Sequence, residues 1–342
     1  MFEKAIIATD IHFGKKNNSD VHNQDCLDFL DWAIVQAKEF DAETFIFCGD
    51  WSDTRASINI RTLNYSVKAL EKLSAAFKNV YLILGNHDIF AKSNLDLHSL
   101  CFANHIANVQ VIDKTTTIGN STLVPWIADN NYDQLKNIKT RYVFGHLEMP
   151  QFFMNSMNLL PDHGSNQANA EMFNGPEYAF SGHFHKRQIY KNKNGSEIIY
   201  LGNCFPHNYS DVNDNDRGCV LLENGKEPIF VNWADCPKYK VENLSDLLES
   251  PEDVLSEKTY MRVQTDMDLP YDEINFIRDT LQKQFNAREI IILPKRSDEL
   301  LQDYSNADVK FQSVDHIVLT HIEALDTEAF DRSLLSSIYL SL

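Results

Sequence analysis

Short, nearly continuous apolar runs recur along the chain, at residues 5–8, 44–48, 80–84, 142–144, 178–180 and 198–201. Short apolar runs of this length predict strands. Between the first two, Leu27, Leu30, Ile34 and Ala37 recur at helical spacing, and Leu63, Val67, Leu70 and Phe77 do so between the second and third. Strands joined by helical crossovers predict an α/β layered domain, β-rich in its second half. After Trp233 the character changes. Residues 260–263 read as a strand, 271–285 as a helix and 289–293 as a second strand, a small β-α-β module. A polar stretch, 294–308, precedes two amphipathic stripes, Val314, Ile317, Val318, His321, Ile322 and Leu325, then Phe330, Leu334, Leu335, Ile338 and Tyr339. The expected organisation is a main domain over 1–236, a cap over 237–295, and a linker with a helical segment over 296–342.

Composition narrows the class. An apolar fraction of 43% in 342 residues supports a sizeable core and excludes general disorder. No run approaches the ~18–20 apolar residues of a membrane span, and the start lacks the apolar region and cleavage site of a signal peptide. A cytoplasmic location, with no membrane partner, is the expectation. Cys26, Cys48, Cys101, Cys204, Cys219 and Cys236 form no C-x-x-C pair, which points to reduced thiols rather than a disulfide framework or zinc ribbon. The net charge of −18 means that any polyanion must be held by local positive groups, metal ions or a second subunit. From Pro237 onward there are 21 acidic and 11 basic residues, which suits protein contact or solvation better than DNA.

The candidate chemistry lies where the runs end. Asp10-Ile11-His12 follows the first, Gly49-Asp50 the second, Gly85-Asn86-His87-Asp88 the third, Gly145-His146 the fourth and Gly182-His183-Phe184-His185 the fifth. Ligands of parallel sheets gather outside the carboxyl ends of the strands, so these groups are expected to converge. The preceding glycines allow a tight turn and leave room for the donors to point back over the sheet edge. Asp10, His12, Asp50, Asn86, His146, His183 and His185 are too many donors for one ion and suit two, with Asp50 able to bridge ions roughly 3.5–4 Å apart. Mixed imidazole, carboxylate and amide donors fit Mn, Fe, Zn or Co. An isolated histidine such as His207 reads as an ordinary polar or surface residue.

This ordered set resembles the calcineurin-like metallophosphoesterase superfamily, whose pattern runs D-x-H, G-D-x-x-D, G-N-H-D/E, G-H and G-H-x-H. Gly49-Asp50-Trp51-Ser52-Asp53-Thr54, Pro125-Trp126-Ile127, Gly145-His146-Leu147-Glu148, Tyr200-Leu201-Gly202 and Asp216-Arg217-Gly218 make it most similar to the SbcD-type DNA repair nucleases, especially the recombination nuclease subunits of tailed phages. The resemblance implies a four-layer β-sandwich flanked by helices, with a small β-α-β cap and a helical tail. It implies that Asp10, His12, Asp50 and His185 surround one divalent ion and Asp50, Asn86, His146 and His183 the other, manganese by family habit with magnesium as the alternative. His87 would be the catalytic histidine, with Asp53 a candidate to orient its ring. Thr54 and Asp88 stand where protein phosphatases of the superfamily carry Arg and Glu, which disfavours a phosphoprotein substrate. The segment Cys204-Phe205-Pro206-His207-Asn208 departs from the usual Gly-Thr/Ser-Pro turn. Arg55, Lys15 and Lys16 are candidate DNA contacts.

The implied function is a metal-dependent DNA exonuclease and endonuclease subunit in recombination and double-strand-break repair. Its implied partners are DNA and an SbcC-type coiled-coil ATPase, with a homodimer inside a heterotetramer, in the host cytoplasm if phage-encoded. The competing reading is a small-molecule or cyclic-nucleotide phosphodiesterase of the same superfamily. The cap counts against it.

Overall fold

The apolar runs become the parallel strands of two sheets that face each other. A computed structural model describes residues 1–128, 132–162, 168–212, 214–293 and 322. In chain order the strands are β1 (Lys4–Ala8), β2 (Thr44–Phe47), β3 (Asn79–Ile83), the hairpin β4 (Ile89–Ala91) and β5 (Asn94–His98), β6 (Val109–Ile112), β7 (Thr116–Ile118), β8 (Ser121–Val124) and β9 (Tyr142–His146). They continue as β10 (Tyr178–Gly182), β11 (Gln188–Lys191), β12 (Glu197–Tyr200), β13 (Gly218–Glu223), β14 (Ile229–Asn232), β15 (Lys238–Asn243), β16 (Thr259–Gln264) and β17 (Glu289–Leu293).

The first sheet has the order β14-β13-β1-β2-β3-β6 and the second β11-β12-β10-β9-β8-β7. Each has four parallel strands at its heart, β1-β2-β3-β6 and β12-β10-β9-β8, with antiparallel strands at the edge. Ala5, Ile7, Ile46 and Ile83 of the first sheet pack against Tyr142, Phe144, Phe180 and Ile199 of the second, which is why these strands carry apolar side chains on both faces. On the outside of the first sheet lie the helices Asp20–Phe40 and Ile60–Ala76, burying Phe29, Leu30, Leu70 and Leu73. The outer face of the second sheet is covered by loops and by the 3-10 turns Tyr132–Asn137 and Ala170–Phe173, through Leu135 and Phe173. The result is a four-layer α/β sandwich. β13 closes the first sheet antiparallel to β1; its Cys219, Val220, Leu221 and Leu222 are as apolar as the other runs, although the pattern had not singled it out.

Beyond Trp233 the expected strand, helix and strand appear as β16, the helix Tyr271–Phe285 and β17, joined by the additional parallel strand β15. The Arg288 guanidinium reaches both carboxylate oxygens of Asp25 on the helix Asp20–Phe40, at 2.6 and 2.7 Å. The chain divides into two compact units, Met1–Leu293 and Pro294–Leu342. The two amphipathic stripes of the tail lie outside the described residues, apart from residue 322.

Candidate metal centre

All seven expected donors converge at the shared carboxyl edge of the two sheets. Asp10, Asp50 and Asn86 follow β1, β2 and β3, while His146 ends β9 and His183 follows β10. Room at this edge depends on absent side chains. A Cβ on Gly85 would lie 2.2 Å from Asp50 Oδ1, and one on Gly49, whose φ is +97°, would lie 2.3 Å from His146 Nδ1. Asp10, His12, Asp50 and His183 themselves have positive φ, at 53°, 53°, 57° and 83°. Such backbone costs about 1–3 kcal/mol per residue and persists only where the surroundings enforce it.

The donors fall into two groups that share one carboxylate. Atoms of Asp10, His12 and Asp50 lie within 4.8 Å of one another, and so do atoms of Asp50, His146 and His183. Asp50 Oδ2 stands 3.8 Å from His12 Nε2 and 3.3 Å from His146 Nε2. Asn86 Oδ1 stands 3.1 Å from His146 Nε2 and 2.8 Å from His183 Nδ1, while His185 Nε2 is 3.9 Å from Asp10 Oδ1. Asp10, His12, Asp50, Asn86 and His146 are buried.

Neighbouring groups set which nitrogen of three of the imidazoles faces the centre. His146 Nδ1 donates to Cys48 O at 2.8 Å, leaving Nε2 inward. His183 Nε2 pairs with Glu148 Oε2 at 2.9 Å, leaving Nδ1 inward. His12 Nδ1 faces Asp53 Oδ1 at 3.4 Å. Carboxylate and carbonyl partners of this kind orient imidazole ligands and raise their basicity. Glu148 carries no sequence signal for this role: it follows His146 by two residues, and the pairing of β9 with β10 brings it to His183.

Burial and pairing oppose each other at the centre. Burial pushes the Asp50 carboxyl up, but His146 and His12 outweigh it and hold the group well below the usual range. Asp10 is likewise lowered, with burial opposed by His12 and His146. Burial lowers His146, yet the Asp50 carboxylate overcomes it and raises the imidazole to about 9. Protons on histidine thus offset carboxylate charge where cations would do so. With Nδ1 turned to Asp53, His12 Nε2 makes no hydrogen bond and stands 3.7 Å from Asp10 Oδ1 and 3.8 Å from Asp50 Oδ2. Carboxylate, imidazole and amide donors with an unpartnered ring nitrogen fit divalent cations, whereas burial pushes the nearby Cys48 and Cys204 thiols up and keeps thiolate out of the set.

His87 is half-buried beside the donors, its ring 5.0 Å from that of His12. Its Nδ1 donates to the main-chain carbonyl of Asp53 at 2.7 Å, which leaves Nε2 available. Asp53 therefore positions His87 through its backbone, and its carboxylate serves His12 and Lys15 instead, the latter at 3.0 Å. Arg55 Nε donates to Asn86 O at 2.7 Å. Lys16, expected with Lys15 on the DNA face, sets its ammonium 3.4 Å from the centre of the Tyr260 ring and 4.8 Å from that of Tyr239, so it is engaged by the C-terminal module.

Two further residues matter. Asp88 accepts from the backbone N–H groups of Gly85, Asp50 and Ser52 at 2.9, 3.0 and 2.9 Å and from Trp51 at 3.3 Å, tying the loops after β2 and β3 together. His207 is neither of the things expected of an isolated histidine, a surface residue or an ordinary satisfied polar one. It is 1% exposed and packs beside His12 and His185.

Over residues 4–187 the chain matches the calcineurin-like phosphoesterase family. It is 27% identical over 233 residues to exonuclease subunit 1 of Enterobacteria phage T4, covering 64% of this chain and 64% of that protein's own length. Among solved structures, a dimetal phosphatase from Danio rerio matches at 11% identity and a TM-score of 0.42, over 64% of this chain and 92% of its own. The nuclease MPE of Pseudomonas putida matches at 16% identity and a TM-score of 0.31, over 66% of this chain and 87% of its own. With the match spanning the five donor groups up to His185, the chain belongs to the calcineurin-like phosphoesterase family.

Proposed function

We propose that this chain is the nuclease subunit of a DNA-processing complex and hydrolyses phosphodiester bonds with two divalent cations, manganese first among them. The observation that carries the reading is the pair of donor groups joined at Asp50. Asp10, His12, Asp50 and His185 would hold one ion and Asp50, Asn86, His146 and His183 the other. When bound, such ions neutralise phosphate oxygens and make water a competent nucleophile near neutral pH. Asp53, Glu148 and the Cys48 carbonyl keep three of the imidazoles turned inward. His87, held by the Asp53 carbonyl, presents Nε2 for proton exchange with the departing sugar oxygen. Lys15 and Arg55 stand at the rim as phosphate contacts. Lys16 leaves this set because the tyrosines of the module hold it.

DNA as substrate is supported by the similarity to a phage exonuclease subunit. That this relative is one subunit of an exonuclease supports a partner, for which an SbcC-type coiled-coil ATPase is the proposed identity and 296–342 the proposed docking segment. A role in recombination and break repair, a homodimer within a heterotetramer and a host-cytoplasmic location complete the proposal. Among the described residues no helix is long and apolar enough to cross a membrane.

The test is incubation with Mn²⁺ of linear duplex DNA, single-stranded circles and bis-p-nitrophenyl phosphate, alone and with the co-encoded ATPase. Mn²⁺-dependent DNA cleavage, lost with chelator and stimulated by ATP in the complex, is the expected result. Hydrolysis of the small ester without DNA cleavage would contradict it.

A further inference from the structure

The loop between β12 and β13 brings a residue to the centre that the five donor motifs do not contain. His207 is buried, and neither ring nitrogen has a hydrogen-bond partner. One of its nitrogens lies within 4.8 Å of ring nitrogens of both His12 and His185. Its other imidazole neighbour, His22, has its Nε2 on His12 O at 2.9 Å and meets His207 only ring to ring, at 5.3 Å. A buried polar ring with both nitrogens unpaired is costly, and an apolar side chain of similar size would remove that cost.

The loop is built to hold this ring in place. The His207 backbone N–H donates to Asp211 Oδ2 at 2.8 Å, and Asn203 Nδ2 donates to the same oxygen at 3.3 Å. Asp211 Oδ1 faces the fully buried Arg217 at 3.5 Å, and Arg217 donates to Asp214 at 2.8 Å. A buried arginine and two aspartates thus brace a turn whose histidine ends against two donors of one ion.

We propose that His207 supplies a further imidazole nitrogen to the ion held by Asp10, His12, Asp50 and His185, an inference that rests on the two-ion reading above. Three imidazoles and two carboxylates then surround that ion, a richer nitrogen set than the other side of Asp50 offers, so the two sites differ in affinity.

The test is a Mn²⁺ titration of the metal-free full chain, read by the electron paramagnetic resonance signal of free Mn²⁺, with melting temperature as a second readout. Wild type binds two ions. In His207→Leu one of them weakens at least about 10-fold, while the metal-free variant melts no lower than metal-free wild type because the unpaired ring is gone. In His207→Ala the weakened site recovers when imidazole is added, a rescue that a purely structural histidine would not show. A folded His207→Leu protein that binds both ions with wild-type affinity, or a His207→Ala protein that imidazole does not restore, overturns the proposal. Wild type that binds fewer than two ions overturns the two-ion reading itself, and this inference with it.

Discussion

At the residue scale, function depends on the few atoms left facing the centre once each donor's second atom is tied down. Asp50 is the most exacting case, with Oδ1 accepting the His87 N–H at 2.8 Å and Oδ2 between His12 and His146. Asp50→Asn removes the negative charge that holds two cations close together, so bound metal, measured by elemental analysis of the purified variant, should fall from two ions toward one or none. Unchanged stoichiometry would contradict a bridging role. His87→Ala separates chemistry from binding: metal content and DNA affinity should stay within a few-fold, while turnover under saturating Mn²⁺ falls by about 10²-fold or more. The convergence of the seven donors was legible because each donor group follows an apolar run, four of the five with a glycine at the turn. Glu148 and His207 were not, since their chemistry depends on which neighbours the fold supplies. The roles of Asp53 exchanged for a related reason: spacing places a side chain near a ring, but it cannot say whether backbone or carboxylate reaches it.

At the element scale, the strands deliver donors only because the loops beyond them are fixed to one another. Asp88 is the knot, its four N–H partners drawn from the loops after β2 and β3. Asp88→Ala strands these buried donors and should lower unfolding stability by about 3 kcal/mol or more, with Asp88→Asn intermediate because an amide can accept at only one oxygen. Equilibrium urea unfolding of the metal-free proteins measures both, and an Ala variant within experimental error of wild type would refute the knot. The central strands were readable from their uninterrupted apolar runs, which burial on two faces demands. The edges were harder. β14 carries the apolar run Ile229-Phe230-Val231 but is at most half-buried, so an apolar run there is no sign of a central strand, while β4 and β5 form a largely solvent-facing hairpin with little apolar pattern.

At the scale of the whole molecule, two facing sheets bring Asp10, His12, Asp50 and Asn86 from one and His146, His183 and His185 from the other to a single edge, and a helix packed behind that edge makes the metal-free protein sensitive to acid. His22, buried under this edge, has its imidazole pushed down to about 3 by burial, against an ordinary value near 6.5. The unfolded chain protonates this ring below 6.5 while the folded one does not, so stability is full above that pH and is lost as pH falls toward the folded value, by about 1.4 kcal/mol per unit. His22→Gln should flatten the fall in urea midpoint between pH 6.5 and 5; an unchanged slope would contradict it. Binding of two ions on either side of Asp50 is read directly by anomalous diffraction from crystals grown with Mn²⁺. Two peaks should flank Asp50, roughly 3.5–4 Å apart, one on the side of Asp10, His12 and His185 and the other on the side of Asn86, His146 and His183. A single peak, or two that do not share Asp50, would contradict it.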